Sequence, residues 1–155
     1  MLRKIKSNRP RQTEGSFAIV ASRYNGRYVD GMLKAATREL ERAGAERIEV
    51  VRVPGAFEIP AVAAKLAGTT PRFAAILCLG VIFQGETSHA QHIGWGVTHA
   101  LAQIQVQNRI PVIHAVFVFE QKEQARVRCL DPRHNRGHEA ARTALEMARV
   151  IASLP

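Results

Sequence analysis

The run "FAAILCLG", residues 73–80, limits the possible folds more than any other stretch of the chain. It is almost unbroken apolar sequence, too short for a bilayer span of roughly 20 residues and without the alternation that would leave one face wet. Such a strand is stable where both faces are covered, as in the middle of a parallel sheet. The flanking sequence fits that role. "FAIVA" (17–21), "RIEVVRV" (47–53) and "PVIHAVFVF" (111–119) read as three further strands. Between them the apolar spacing turns helical. Val29, Met32, Leu33, Ala36 and Leu40 recur over 29–43, and "AVAAKLAG" forms a short helix closed by Gly68. Ile93, Val97, Leu101 and Ile104 mark a helix from about His89 to Asn108. A helical stretch near 121–130, the loop "DPRHN" and an Ala-rich helix to about residue 152 follow.

Strands alternating with helices imply an α/β fold: a three-layer sandwich around a four-stranded parallel sheet with right-handed crossovers. With 155 residues and 46% hydrophobic content, the chain can bury one core, and no internal repeat divides it. The expected boundaries are a basic extension over 1–15 and a single domain over 16–155. In open parallel sheets ligands collect beyond the carboxyl ends of the strands. Those ends lead into "SRYNGR", "VPGAFE", "GVIFQGETSH" and "FVFEQ", so the unusual sequences converge on one sheet edge.

The formal charge of +9 is unevenly spread. Arg3, Lys4, Lys6, Arg9 and Arg11 lie in the first 11 residues without an acid, leaving 17 basic residues against 13 acidic, a net of +4. Such an extension either solubilises the chain or binds polyanions non-specifically. The remaining positive charge suits a phosphorylated substrate. No apolar h-region follows the N-terminal charges, and Cys78 and Cys129 are not spaced as a disulfide framework or a metal knuckle. A soluble, cytoplasmic protein is expected, with Cys78 acting as a small buried hydrophobe.

"GETSH" (85–89) joins the most apolar strand to a clear helix. Gly85 permits positive φ and close backbone approach, and Ser88 with Gln91 matches a capping box. The same five residues suit either a helix cap or a cradle for an anion at the helix N-terminus. His89 sits beside that position, where the helix dipole disfavours an imidazolium. It reads as a neutral general base or as a surface histidine. His92 is three residues on, but no carboxylate or cysteine completes a metal set. In "VPGAFEIP" (53–60), Glu58 either accepts hydrogen bonds from a polyol or caps the next helix. Tyr24 suits stacking on a flat heterocycle or packing in the core, and Arg128 suits a phosphate or plain solvation.

Together "SRYN", "VPGAFEIP", "CLGVIFQGETSH", "PVI", Gln124-Ala125…Arg128 and "NRGHEAARTALEMA" resemble the lumazine synthase family from about Phe17 to Ala152. The resemblance implies a flavodoxin-like sandwich that forms pentamers or multiples of them, with active sites between subunits. It implies condensation of 5-amino-6-(D-ribitylamino)uracil with 3,4-dihydroxy-2-butanone 4-phosphate, without a metal or organic cofactor. Tyr24 then matches the aromatic on the pyrimidine ring, and Ala56, Phe57 and Glu58 match the ribityl-holding segment. Val81, Ile82 and Phe83 match the wall along the ring. Gly85, Glu86 and Thr87 match the phosphate loop, Arg128 the phosphate arginine and His89 the proton-transfer histidine.

Some positions depart from the family pattern. Gln84 stands where Arg or Lys usually precedes the loop glycine, and Ala90-Gln91-His92 replaces an aromatic–acid–Tyr run. His114 occupies the place of a ring-contacting Phe, Val118-Phe119 replaces Thr-Thr, and Arg136 replaces a Lys. Retained synthase activity is the expectation. The alternative is a flavin- or lumazine-binding paralogue with reduced or lost catalysis. No membrane or nucleic-acid partner is expected.

Overall fold

The computed structural model describes residues 15–155. Its four strands are β1 (Ser16–Ser22), β2 (Arg47–Val53), β3 (Ala75–Phe83) and β4 (Val112–Phe119). The helices are α1 (Gly26–Arg42), α2 (Ile59–Ala67), α3 (His89–Asn108), α4 (Lys122–Cys129) and α5 (Arg136–Ser153). The sheet is wholly parallel in the order β2-β1-β3-β4. This is the flavodoxin-like arrangement, and its order reverses direction between β1 and β3.

Alternation along the central strands separates two apolar layers. Phe17, Ile19, Leu77 and Leu79 face α1, α4 and α5, while Ala18, Val20, Ile76 and Cys78 face α2 and α3. The helical stripes read from the sequence point inward: Val29, Met32, Ala36 and Leu40 are fully buried, as is Val97. Cys78 is also fully buried, and that burial pushes its thiol up to about 12. Strand β3 begins two residues later than the apolar run suggested and extends to Phe83, because Val81, Ile82 and Phe83 pair with Phe117, Val118 and Phe119. Helix α2 begins earlier, at Ile59, with Pro60 in its first turn where no intrahelical donor is lost. Among the described residues no helix is long and apolar enough to cross a membrane. The basic extension expected over 1–15 lies outside the described residues except for Gly15, whose carbonyl accepts a hydrogen bond from Glu46 N–H.

The second half is locked onto the first where α5 begins. Asn135 is buried, caps α5 by accepting from Gly137 N–H at 2.8 Å, and donates through Nδ2 to the carbonyls of Cys129 and Gly31. Gly137 lies directly on α1, where a Cβ would overlap the Met32 backbone carbonyl. At the next residue of α5, His138 Nε2 donates to buried Glu39, which also accepts from Arg42, each at 2.7 Å. Burial alone raises the Glu39 carboxyl, but the bonds and charges of Arg42 and His138 outweigh it and hold the group below its ordinary value.

Replacing Gly137 with Ala must separate α5 from α1. The expected loss is roughly 1–3 kcal/mol in denaturant unfolding at fixed protein concentration. A loss below about 0.5 kcal/mol, the level of an ordinary surface change, would contradict this close approach.

Candidate active site

Three loops leave the carboxyl ends of β1, β2 and β3 at one edge of the sheet. The β1–α1 loop is tied to the exit of β2 by Arg23 N–H to Val53 O and Tyr24 N–H to Pro54 O, at 2.8 and 3.0 Å. Asn25 takes a left-handed backbone (φ 56°), which Asn tolerates better than most residues, and its Nδ2 donates to Val81 O at 2.8 Å. That bond anchors the loop to the end of β3. Tyr24 is 74% exposed.

After β2 the chain makes a single 3₁₀ turn, Ala56–Glu58, before entering α2. A Cβ at Gly80 would crowd Ile59 and Ala56, so this glycine lets the turn settle directly on β3. Ala56 is consequently buried, while Phe57 is 65% exposed. The Glu58 side chain makes no capping bond to α2, so the alternative of a helix cap is not realised.

The "GETSH" loop differs from the sequence expectation in two respects. Gly85 does not use positive φ; among the described glycines only Gly44 does, and a Cβ at Gly85 would meet nothing within 4 Å. The Ser88–Gln91 capping box does not form. Ser88 has near-helical backbone angles (φ −74°, ψ 4°) instead of the extended ones that aim a cap side chain at the helix, and its Oγ lies 3.2 Å from His92 Nε2. A reciprocal box forms at α4 instead, between Gln121 and Gln124. In the loop, Thr87 Oγ1 accepts from His89 N–H at 3.4 Å.

These loops enclose a cleft of about 790 Å3. Tyr24, Ala56, Phe57 and Glu58 form one side, and Val81, Ile82 and Phe83 form the floor. Gly85, Thr87 and His89 close the end at the α3 N-terminus. Asn25, Ala90, His92 and Ile93 also line it. Asn25 was not read from the sequence as a site residue, although an Asn just before a helix start was a usable signal for a left-handed turn. Glu86 is exposed and does not line the cleft.

His114 and Arg128 are elsewhere. They border a second hollow of about 650 Å3, which runs along edge strand β4 between α3 and α5 and includes Phe117, Arg136 and Thr143. The His114 ring is fixed in orientation: Nδ1 accepts from Val116 N–H at 3.3 Å, and Nε2 lies 2.8 Å from Thr98 Oγ1. With Nδ1 accepting, the proton belongs on Nε2, which donates to Thr98. Partial desolvation pulls the His114 pKa below its ordinary value, against a smaller opposing effect from its own backbone.

A flavodoxin-like sheet with a largely apolar, aromatic-lined cleft at its reversal point, carrying a few polar groups, defines a small-molecule-binding α/β protein. Residues 14–152 match the family model described as 6,7-dimethyl-8-ribityllumazine synthase. A 6,7-dimethyl-8-ribityllumazine synthase of Stenotrophomonas maltophilia (strain R551-3) is 39% identical over 141 residues, covering 90% of each chain. One from Xanthomonas euvesicatoria pv. vesicatoria (strain 85-10) is 36% identical over 147 residues, covering 94% of this chain and 95% of that one. The chain belongs to the 6,7-dimethyl-8-ribityllumazine synthase family.

Since the folded state favours the neutral His114 ring, the contribution of this group to stability is complete above the ordinary histidine range. It is lost as pH falls through the depressed folded value. In protein labelled at histidine, the His114 resonance is expected to titrate below the ordinary pKa, and Thr98→Val is expected to change its midpoint. A midpoint at or above about 6.5 would contradict this depressed value.

Proposed function

We propose that the protein is a 6,7-dimethyl-8-ribityllumazine synthase, condensing 5-amino-6-(D-ribitylamino)uracil with 3,4-dihydroxy-2-butanone 4-phosphate to give the lumazine and inorganic phosphate. Besides family membership, the observation that carries this reading is the cleft itself. It joins an aromatic surface, a carboxylate, open loop backbone and a histidine at one sheet edge. Tyr24 and Phe57 offer flat apolar surface to the pyrimidine, and the Glu58 carboxylate accepts from ribityl hydroxyls. Backbone N–H groups of the 85–87 loop receive the phosphate, and His89 moves protons during amine attack on the ketone, phosphate elimination and ring closure. Each step needs positioning and proton transfer, and the site works chiefly by holding two reactants together. Residues 16–155 form the single domain that carries these groups.

Arg128 and His114 serve a neighbouring copy's cleft, in a ring of subunits such as a pentamer. Two features support this assembly. The second hollow opens along edge strand β4, away from the cleft of the same chain. Helix α3 carries no Asp, Glu, Lys or Arg from His89 to Asn108, yet Trp95 and Val106 are 65% and 75% exposed on it. An uncharged helix with bare apolar side chains suits a contact between subunits. In this reading Arg128 offers its guanidinium fork to the phosphate of the adjacent cleft.

The purified protein is expected to accelerate lumazine formation above the uncatalysed condensation. His89→Ala should lower kcat by about 100-fold, the low end for a proton-transfer residue. Arg128→Ala should raise KM for the phosphorylated substrate by at least about tenfold, as expected for a lost charged hydrogen bond. Tight binding of lumazine or riboflavin without acceleration would overturn the synthase reading.

A further inference from the structure

Gln84 connects the end of β3 to the loop that closes the cleft. Its backbone N–H donates to Phe119 O at 2.8 Å, continuing the β3–β4 ladder one residue past the strand. Its side chain then turns back over the loop: Nε2 donates to Thr87 O at 3.1 Å and, with a longer bond, to Gly85 O at 3.4 Å. One amide group therefore holds two of the three loop carbonyls. At the helix entry the Ser88 hydroxyl is directed to His92 and makes no cap, and Thr87 Oγ1 accepts only the His89 N–H through a long bond. Among the described residues, the N–H groups of Gly85, Glu86, Thr87 and Ser88 have no backbone or side-chain acceptor. These carbonyls are drawn to Gln84, so the adjoining N–H groups are left for an incoming anion.

We infer that Gln84 is a positioning residue for the phosphorylated substrate, acting through its two side-chain bonds to the 85–87 loop rather than by touching the phosphate. The inference deepens the synthase reading and rests on it for the identity of that substrate. A neutral amide is well matched to the task. It donates to the carbonyls and adds no charge beside the anion, so phosphate release after elimination is not slowed by an extra ion pair. A Glu at this position has the same length but presents only acceptors to those carbonyls, whereas a Lys can donate to them.

The test compares wild type, Gln84→Ala, Gln84→Glu and Gln84→Lys as assembled full-length proteins. It measures KM for each substrate, kcat, inhibition by inorganic phosphate and the thermal midpoint. Gln84→Ala is expected to raise KM for the phosphorylated substrate and the inhibition constant of phosphate together, by about tenfold. KM for the pyrimidine and the thermal midpoint should hold. Gln84→Glu should be at least as impaired, and Gln84→Lys should recover most of the loss. Unchanged constants in Gln84→Ala, or equal rises for both substrates with a lowered midpoint, would overturn the inference. If the wild type proves inactive, the synthase reading fails by itself. Direct titration with inorganic phosphate then decides on Gln84: weaker binding by Gln84→Ala than by wild type supports its role, and equal or absent binding overturns it.

Discussion

Burial of β3 on both faces is the constraint from which the rest of the structure follows. Every residue from Ala75 to Leu79 is fully buried, so helices must cover both sides of the sheet and each connection must cross over. The chain has no room for chemistry along that strand. Polar and irregular residues are therefore displaced toward the strand ends, where Gly80 permits a close approach and Asn25 and Gln84 make long-range bonds to Val81 O and Phe119 O. The cleft is the place where this buried strand emerges.

Beyond β3 the molecule divides its chemistry between two sides. One surface holds the aromatic wall, Glu58 and His89; the other holds His114 and Arg128 along the β4 edge. Neither has the full set of groups that amine attack and phosphate loss call for. Formal charge instead divides the two faces of the sheet, with an uncharged α3 on one and a helix pair carrying Arg42, Arg142 and His138 around Glu39 on the other. The inner ends of that pair are fixed by Asn135 and Gly137, which make the α1–α5 contact too tight for a side chain.

Much of this was legible in the sequence, because hydrophobic period and turn chemistry agreed there. The strand at 47–53 and the helix at 89–108 fall where their apolar patterns put them, and the clustering of unusual loops at one edge follows from parallel topology. Local pattern could not give the details decided by distant partners. Strand β3 runs to Phe83 because of β4, and Ser88 does not cap because its hydroxyl meets His92. Motif reading grouped Arg128 and His114 with His89 in a site between subunits, and within one chain they lie apart. Sequence spacing carries no information about which copy completes a site. The effect of Gln84 was equally hidden, since its bonds depend on the path of the loop it holds.

The central claim is that each active site is shared by two copies of the chain, and the most direct measurement is complementation. His89→Ala and Arg128→Ala proteins would be mixed in equal amounts, dissociated and reassembled, and assayed for lumazine formation with the phosphorylated substrate well below the wild-type KM, where both parents are impaired. In random rings about a quarter of the sites should pair an intact cleft with an intact arginine from the neighbour, and activity should return to about that fraction of wild type. If the mixture stays as inactive as its parents although hybrid assemblies form, His89 and Arg128 do not meet across a subunit contact, and the shared-site account is wrong.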